Sequence, residues 1–107
     1  MIALLFFSSF LHASELWSIG EKQIKLSNCP AKYCLYECPV EKDCLALKAF
    51  KNPVKAKESE GGKNPGSGAC SELGGSVSVA QDQEKNQLGL CRFSDGSLIS
   101  LDGLWVW

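Results

Sequence analysis

The clearest alternation of apolar and polar positions lies in the second half of the chain. Val77 and Val79 alternate with Ser76, Ser78 and Ala80, and that period of two predicts a strand with one apolar face. Residues 82–87 are polar and read as a loop. In the next strand Leu88, Leu90 and Arg92 fall on one side, and Gly89, Cys91 and Phe93 on the other. Ser94-Asp95-Gly96-Ser97 predicts a tight hairpin turn, with Gly96 supplying positive φ. Leu98-Ile99-Ser100-Leu101 begins a third strand, which Asp102-Gly103 bends before Leu104-Trp105-Val106-Trp107. Ahead of these strands, Asn64 suits a helix N-cap and Pro65 the first helical position, where a missing N–H costs nothing. Gly74, followed by Gly75, suits the left-handed residue just past the helix end. Gly66 and Gly68 each weigh up to about 1 kcal/mol against that helix, so it is short and depends on packing.

The first half alternates less regularly. Trp17, Ile19, Ile24 and Leu26 around Gly20-Glu21-Lys22 predict a hairpin. Residues 30–38 read as a short helix opening at Pro30, and Pro39 ends it because proline cannot donate inside a helix. Residues 43–51, with Leu45, Leu47 and Phe50, fit a helix better than a strand. The polar, charged, glycine-ended stretch 52–63 reads as a linker. At the start, residues 2–11 form an uncharged apolar run about half as long as the ~20 residues a membrane span needs. Leu11-His12-Ala13 then resembles a cleavage site, although no Lys or Arg precedes the run. The expected organisation is a signal peptide over 1–13, a Cys-rich module over 14–51, a linker over 52–63 and a second module over 64–107.

Composition narrows the function classes. Eleven basic residues against twelve acidic ones, interspersed, give no clustered cationic face for nucleic acid. Six cysteines in a short exported chain predict a disulfide framework, since an oxidising compartment lets such bonds persist. Cys29, Cys34, Cys38 and Cys44 are separated by four, three and five residues, without the Cys-x-x-Cys pairs usual in zinc or redox sites. The linker divides these four from Cys70 and Cys91. The reading is therefore a Cys70–Cys91 bond, with the early four pairing among themselves in an order left open. No cysteine follows the apolar run closely, which argues against a lipid anchor. No metal and no cofactor are expected.

The landmarks of the second module also occur together in a known arrangement. Asn64-Pro65-Gly66-Ser67-Gly68-Ala69-Cys70, then Gly74-Gly75, Gly89-Leu90-Cys91 and Asp95-Gly96-Ser97, resemble the bacterial family DUF333. In that family an Asn-Pro-Ala-Ser-like opening leads to a Cys, a Gly-Gly pair, a Gly-x-Cys and an Asp-Gly turn. The likeness covers residues 64–107. It implies an envelope setting, and its members often carry the label haemolysin, but it implies no reaction. The expected fold is α+β: a small disulfide-stapled domain, one short helix on a three- or four-stranded antiparallel meander, preceded by the Cys-rich module.

The candidate chemistry points away from catalysis. His12 is the only histidine and falls in the expected signal peptide, so the mature chain lacks Ser-His and Cys-His pairs. Asp95 and Asp102 are a formal carboxylate pair, yet both sit in Asp-Gly steps, where Asp serves the turn. Gly74-Gly75 has no lysine placed after it for a phosphate cradle. Trp105 and Trp107 are a candidate binding surface, because tryptophan is common at binding hot spots; packing against the domain is the plainer role. The expectation is an exported, non-enzymatic protein, periplasmic or secreted, that binds a protein partner in the envelope or outside the cell. The family label makes a membrane-perturbing protein the first alternative, although no long cationic amphipathic helix is present. An inhibitor of a secreted hydrolase, presenting residues 82–87, is the second.

Overall fold

The computed structural model describes residues 14–30, 34–40, 43–55 and 65–106. The apolar run, Asn64 and Trp107 lie outside them. Strands β1 (Ser14–Ile19) and β2 (Lys22–Asn28) form the expected hairpin, with Gly20 at a φ of 60° in its turn. Then come β3 (Leu35–Glu37), α1 (Leu45–Lys51), β4 (Val54–Lys55) and α2 (Pro65–Glu72). The chain finishes with β5 (Ser76–Gln81), β6 (Gln87–Arg92), β7 (Leu98–Ser100), a 3-10 turn (Leu101–Gly103) and β8 (Trp105–Val106).

Six of these strands close into one antiparallel barrel in the order β1-β2-β3-β7-β6-β5. In place of the expected free meander, β5, β6 and β7 pair antiparallel in chain order as half of the barrel. Segment 14–51 contributes the other half. Two further departures come from pairings between residues distant in sequence. Residues 35–37, read as helix, are a strand because Tyr36 and Leu35 pair with β2 while Tyr36 and Glu37 pair with β7. The last strand does not extend the meander. The 3-10 turn redirects it, and Trp105 and Val106 pair in parallel with Val54 and Lys55 of β4, at the start of the stretch read as a linker.

Alternation along the strands separates two apolar cores. Inside the barrel lie Trp17, Ile24, Leu26, Leu35, Ala80, Leu90 and Leu98. Outside it, α1, α2 and the 3-10 turn cover a second cluster that includes Leu47, Ala69, Phe93, Ile99, Leu101 and Leu104. The division of β6 follows the sequence pattern: Leu90 faces the barrel and Cys91 the outer layer. Strand β5 is reversed. Its small residues Ser78 and Ala80 turn inward, while Val77 and Val79 are 45% and 53% exposed. Small barrels fill their interiors with mixed large and small side chains, and with Trp17 and the leucines inside, β5 supplies the small ones. The apolar face predicted for β5 is therefore the outer one.

All six cysteines are bonded, as Cys29–Cys34, Cys38–Cys44 and Cys70–Cys91. The last ties α2 to the outer face of β6. Helix α2 ends as Gly74 allows: its φ is 84°, its amide bonds the Ser71 carbonyl and the Gly75 amide bonds the Cys70 carbonyl. That pair of bonds is a Schellman motif and satisfies carbonyls the helix leaves open. Gly75 also lets the chain pass against the Cys70–Cys91 sulfurs, since a Cβ there would collide with Cys91 Sγ.

Candidate functional site

The hairpin turn between β6 and β7 performs a structural task that its local sequence does not reveal. Helix α1 begins after Cys44, which makes no side-chain cap. Asp95 Oδ2 instead accepts the Leu45 amide at 2.8 Å, and Ser97 Oγ accepts the Ala46 amide at 3.0 Å. Ser97 in turn donates its amide (2.9 Å) and its hydroxyl (2.6 Å) to Asp95 Oδ1. A turn in the second half of the chain thus caps a helix in the first. Near the other end of β7, buried Ser100 Oγ accepts the Leu35 amide at 3.0 Å, supporting β3 in the same manner.

Asp95 is exposed, and the desolvation it does undergo works against its charge, but the bonds from the Ser97 hydroxyl and from the Leu45 and Ser97 amides outweigh it. The carboxyl is held below its usual value. A depressed folded value means stability that is complete above the unfolded value of about 3.9 and lost as pH falls through the lower folded one. Asp95→Asn keeps one capping oxygen and loses the charge, so it should lower stability at neutral pH by less than the roughly 1 kcal/mol of a lost cap, because Asp95 is exposed and solvent screens its charge. The urea midpoints of parent and variant should converge in acid; a gap that stays constant down to low pH would contradict this.

The other sites expected from sequence divide clearly. Asp102 lies in the 3-10 turn, past the far end of β7 from Asp95, and Asp95 is committed to the cap, so the two do not flank a common cleft. Asp82 ties its own loop: Oδ1 accepts the Glu84 and Asn86 amides, and Oδ2 accepts Asn86 Nδ2, each at 2.9 Å. The Asn86 side chain leads the bonds that hold the Asp82 carboxyl below its usual range. Trp105 is half-buried against the outer core, whereas Trp107 lies outside the described residues. Among the described residues no group of three His, Cys, Asp or Glu side chains is placed to hold a metal ion. No helix among them is long and apolar enough to cross a membrane.

Among the described residues, two surface features arise from how the barrel closes. The first is an edge. β1 and β5 meet at a single register position, Ser18 opposite Gln81. That register carries β5 past the β1–β2 turn at Gly20, so among the described residues the stretch before Gln81 pairs with β6 alone. The exposed Val77 and Val79 stand on this stretch.

The second is the barrel mouth near the same end, a cleft of about 260 Å3. Ile19, Ile24 and Leu98 line its apolar wall, and Lys22, Glu37 and Arg92 supply charge. Glu37 and Arg92 each stand directly across from Leu98, on the two strands that flank β7. Lys22 stands across from Ile19. Sequence reading missed all three charged residues, because their convergence depends on cross-strand register. Their inward positions continue the period of two set by Ile24, Leu26 and Leu90, and that was the available signal.

Residues 61–105 match the family model of DUF333, a domain of unknown function. No curated protein and no solved structure matches the chain.

Proposed function

We propose that this chain, with its DUF333 segment at residues 61–105, is an exported, non-enzymatic binding protein. Its partner is a protein of the bacterial envelope or the extracellular space. The observation that carries the reading is the part of β5 before Gln81, which among the described residues pairs with β6 alone and bears Val77 and Val79 half exposed on its outer face. A free strand edge is a template for another strand, and proteins that do not use one tend to cover or charge it. Strand addition there takes an extended segment whose backbone completes the ladder and whose alternate aliphatic side chains meet the valines. The three disulfides are compatible with the oxidising compartment that export implies. They also hold the scaffold rigid, which lowers the ordering cost of association.

Immobilised protein, folded with its disulfides intact, should retain a discrete envelope protein, and Val79→Lys should abolish that capture while leaving the melting temperature unchanged. Capture that survives Val79→Lys, or a parent protein that retains nothing specific, would count against the proposal. Leakage of dye from liposomes by the purified protein would favour the membrane-perturbing alternative.

A further inference from the structure

We infer that the barrel mouth is a binding site for a free aliphatic α-amino acid. The inference is separate from partner binding at the β5 edge and does not depend on it.

The geometry sets the chemistry of the ligand. Glu37 and Arg92 occupy one cross-strand row with Leu98 between them, so their backbones are two strand spacings apart, roughly 10 Å. Both side chains are long enough to close on a small dipole held between them. Lys22 adds a second cation from β2. A ligand carboxylate therefore faces Arg92, whose planar fork can bind it through two parallel hydrogen bonds, with Lys22 reinforcing the charge. A ligand ammonium faces Glu37. Beneath them Ile24 and Leu98 are nearly buried members of the barrel core, with Ile19 packed beside them. An aliphatic side chain placed there covers the part-buried Ile19, the apolar residue of the wall that water still reaches.

Size and selectivity agree. A cleft of about 260 Å3 falls just under the roughly 300–1,000 Å3 of pockets that hold drug-sized molecules, and a single amino acid is correspondingly small. A polar zwitterion such as glycine would leave Ile19 wet. An aliphatic acid without an ammonium would leave Glu37 facing a carboxylate across a narrow gap, which is repulsive.

Titration of the 15N-labelled, disulfide-intact chain with L-leucine tests this. Addition to about 10 mM should produce saturable shifts at the Lys22, Glu37, Arg92 and Leu98 amides, as expected for a dissociation constant in the millimolar range or tighter. Leucinamide, which lacks the carboxylate, and 4-methylpentanoate, which lacks the ammonium, should each bind at least about tenfold more weakly, since each loses a charge-assisted contact. Arg92→Gln should weaken leucine and 4-methylpentanoate but not leucinamide, and Glu37→Gln should do the reverse for the two analogues. The inference is overturned if leucine gives no saturable shift at these amides. It is equally overturned if the three ligands bind the parent protein alike, a comparison that holds even should a variant fail to fold.

Discussion

Replacing Cys70 and Cys91 together by alanine should lower the stability of the protein by about 2–5 kcal/mol. Two effects add. The bond closes a loop with a sequence separation of 21, and releasing it frees the unfolded chain by roughly 3 kcal/mol on loop-closure grounds. Both cysteines are also fully buried, and the backbone at Gly75 passes directly against their sulfurs. Removing the sulfurs leaves a void that the neighbouring chain cannot close without moving, and a residual cavity adds its own cost. The Cys29–Cys34 bond spans a separation of only 5, so the corresponding double alanine variant should lose roughly 1 kcal/mol less through loop closure. Urea unfolding of both variants under non-reducing conditions checks the order. Equal midpoints for the parent and the Cys70–Cys91 variant would refute it.

Gly66→Ala and Gly68→Ala should move stability in opposite directions, although the two positions share a helix two residues apart. By propensity alone each change favours α2 by up to about 1 kcal/mol. At Gly68 nothing lies within 4 Å of the added carbon, so the gain should appear in full. At Gly66 the added carbon would sit 2.6 Å from Leu101 Cβ and 2.7 Å from the Leu101 carbonyl oxygen. The obstacle is largely backbone, in a buried 3-10 turn, and cannot swing aside as a side-chain tip does. Overpacking of this kind costs about 1–3 kcal/mol or more, which exceeds the propensity gain. In a domain of this size each kcal/mol shifts the melting temperature by roughly 4–8 °C. Thermal unfolding should therefore place the Gly68 variant above the parent and the Gly66 variant below it; a rise for both would show that α2 does not press on Leu101 as described.

The glycine that looked only like a weak point in a helix is thus a contact, and this typifies what the sequence could and could not convey. Local signals read well. Gly20 between the Trp17–Ile19 and Ile24–Leu26 pairs gave the first hairpin, Pro65 and Gly74 bracketed α2, and the two faces of β6 separated as the alternation indicated. Long-range pairings did not read. Leu35–Glu37 is too short to carry a period, and it is a strand only because β2 and β7 flank it. Val77 and Val79 announced a strand, but which face met the core depended on how much room Trp17 and the leucines left inside the barrel. The amides capped by Asp95 and Ser97 lie some fifty positions away, and no spacing rule reaches that far. For the same reason the charged row at the mouth was invisible until register aligned Glu37, Leu98 and Arg92.

No disulfide crosses residues 56–63: every bond closes within residues 29–44 or within residues 70–91. Yet the barrel draws three strands from each side, β4 pairs with β8, and the Asp95 turn seats the start of α1. A protease nicking that stretch would therefore produce two fragments that stay associated as a complemented pair. Denaturant alone, without any reductant, would part them. Each half is, in effect, a ligand for the other.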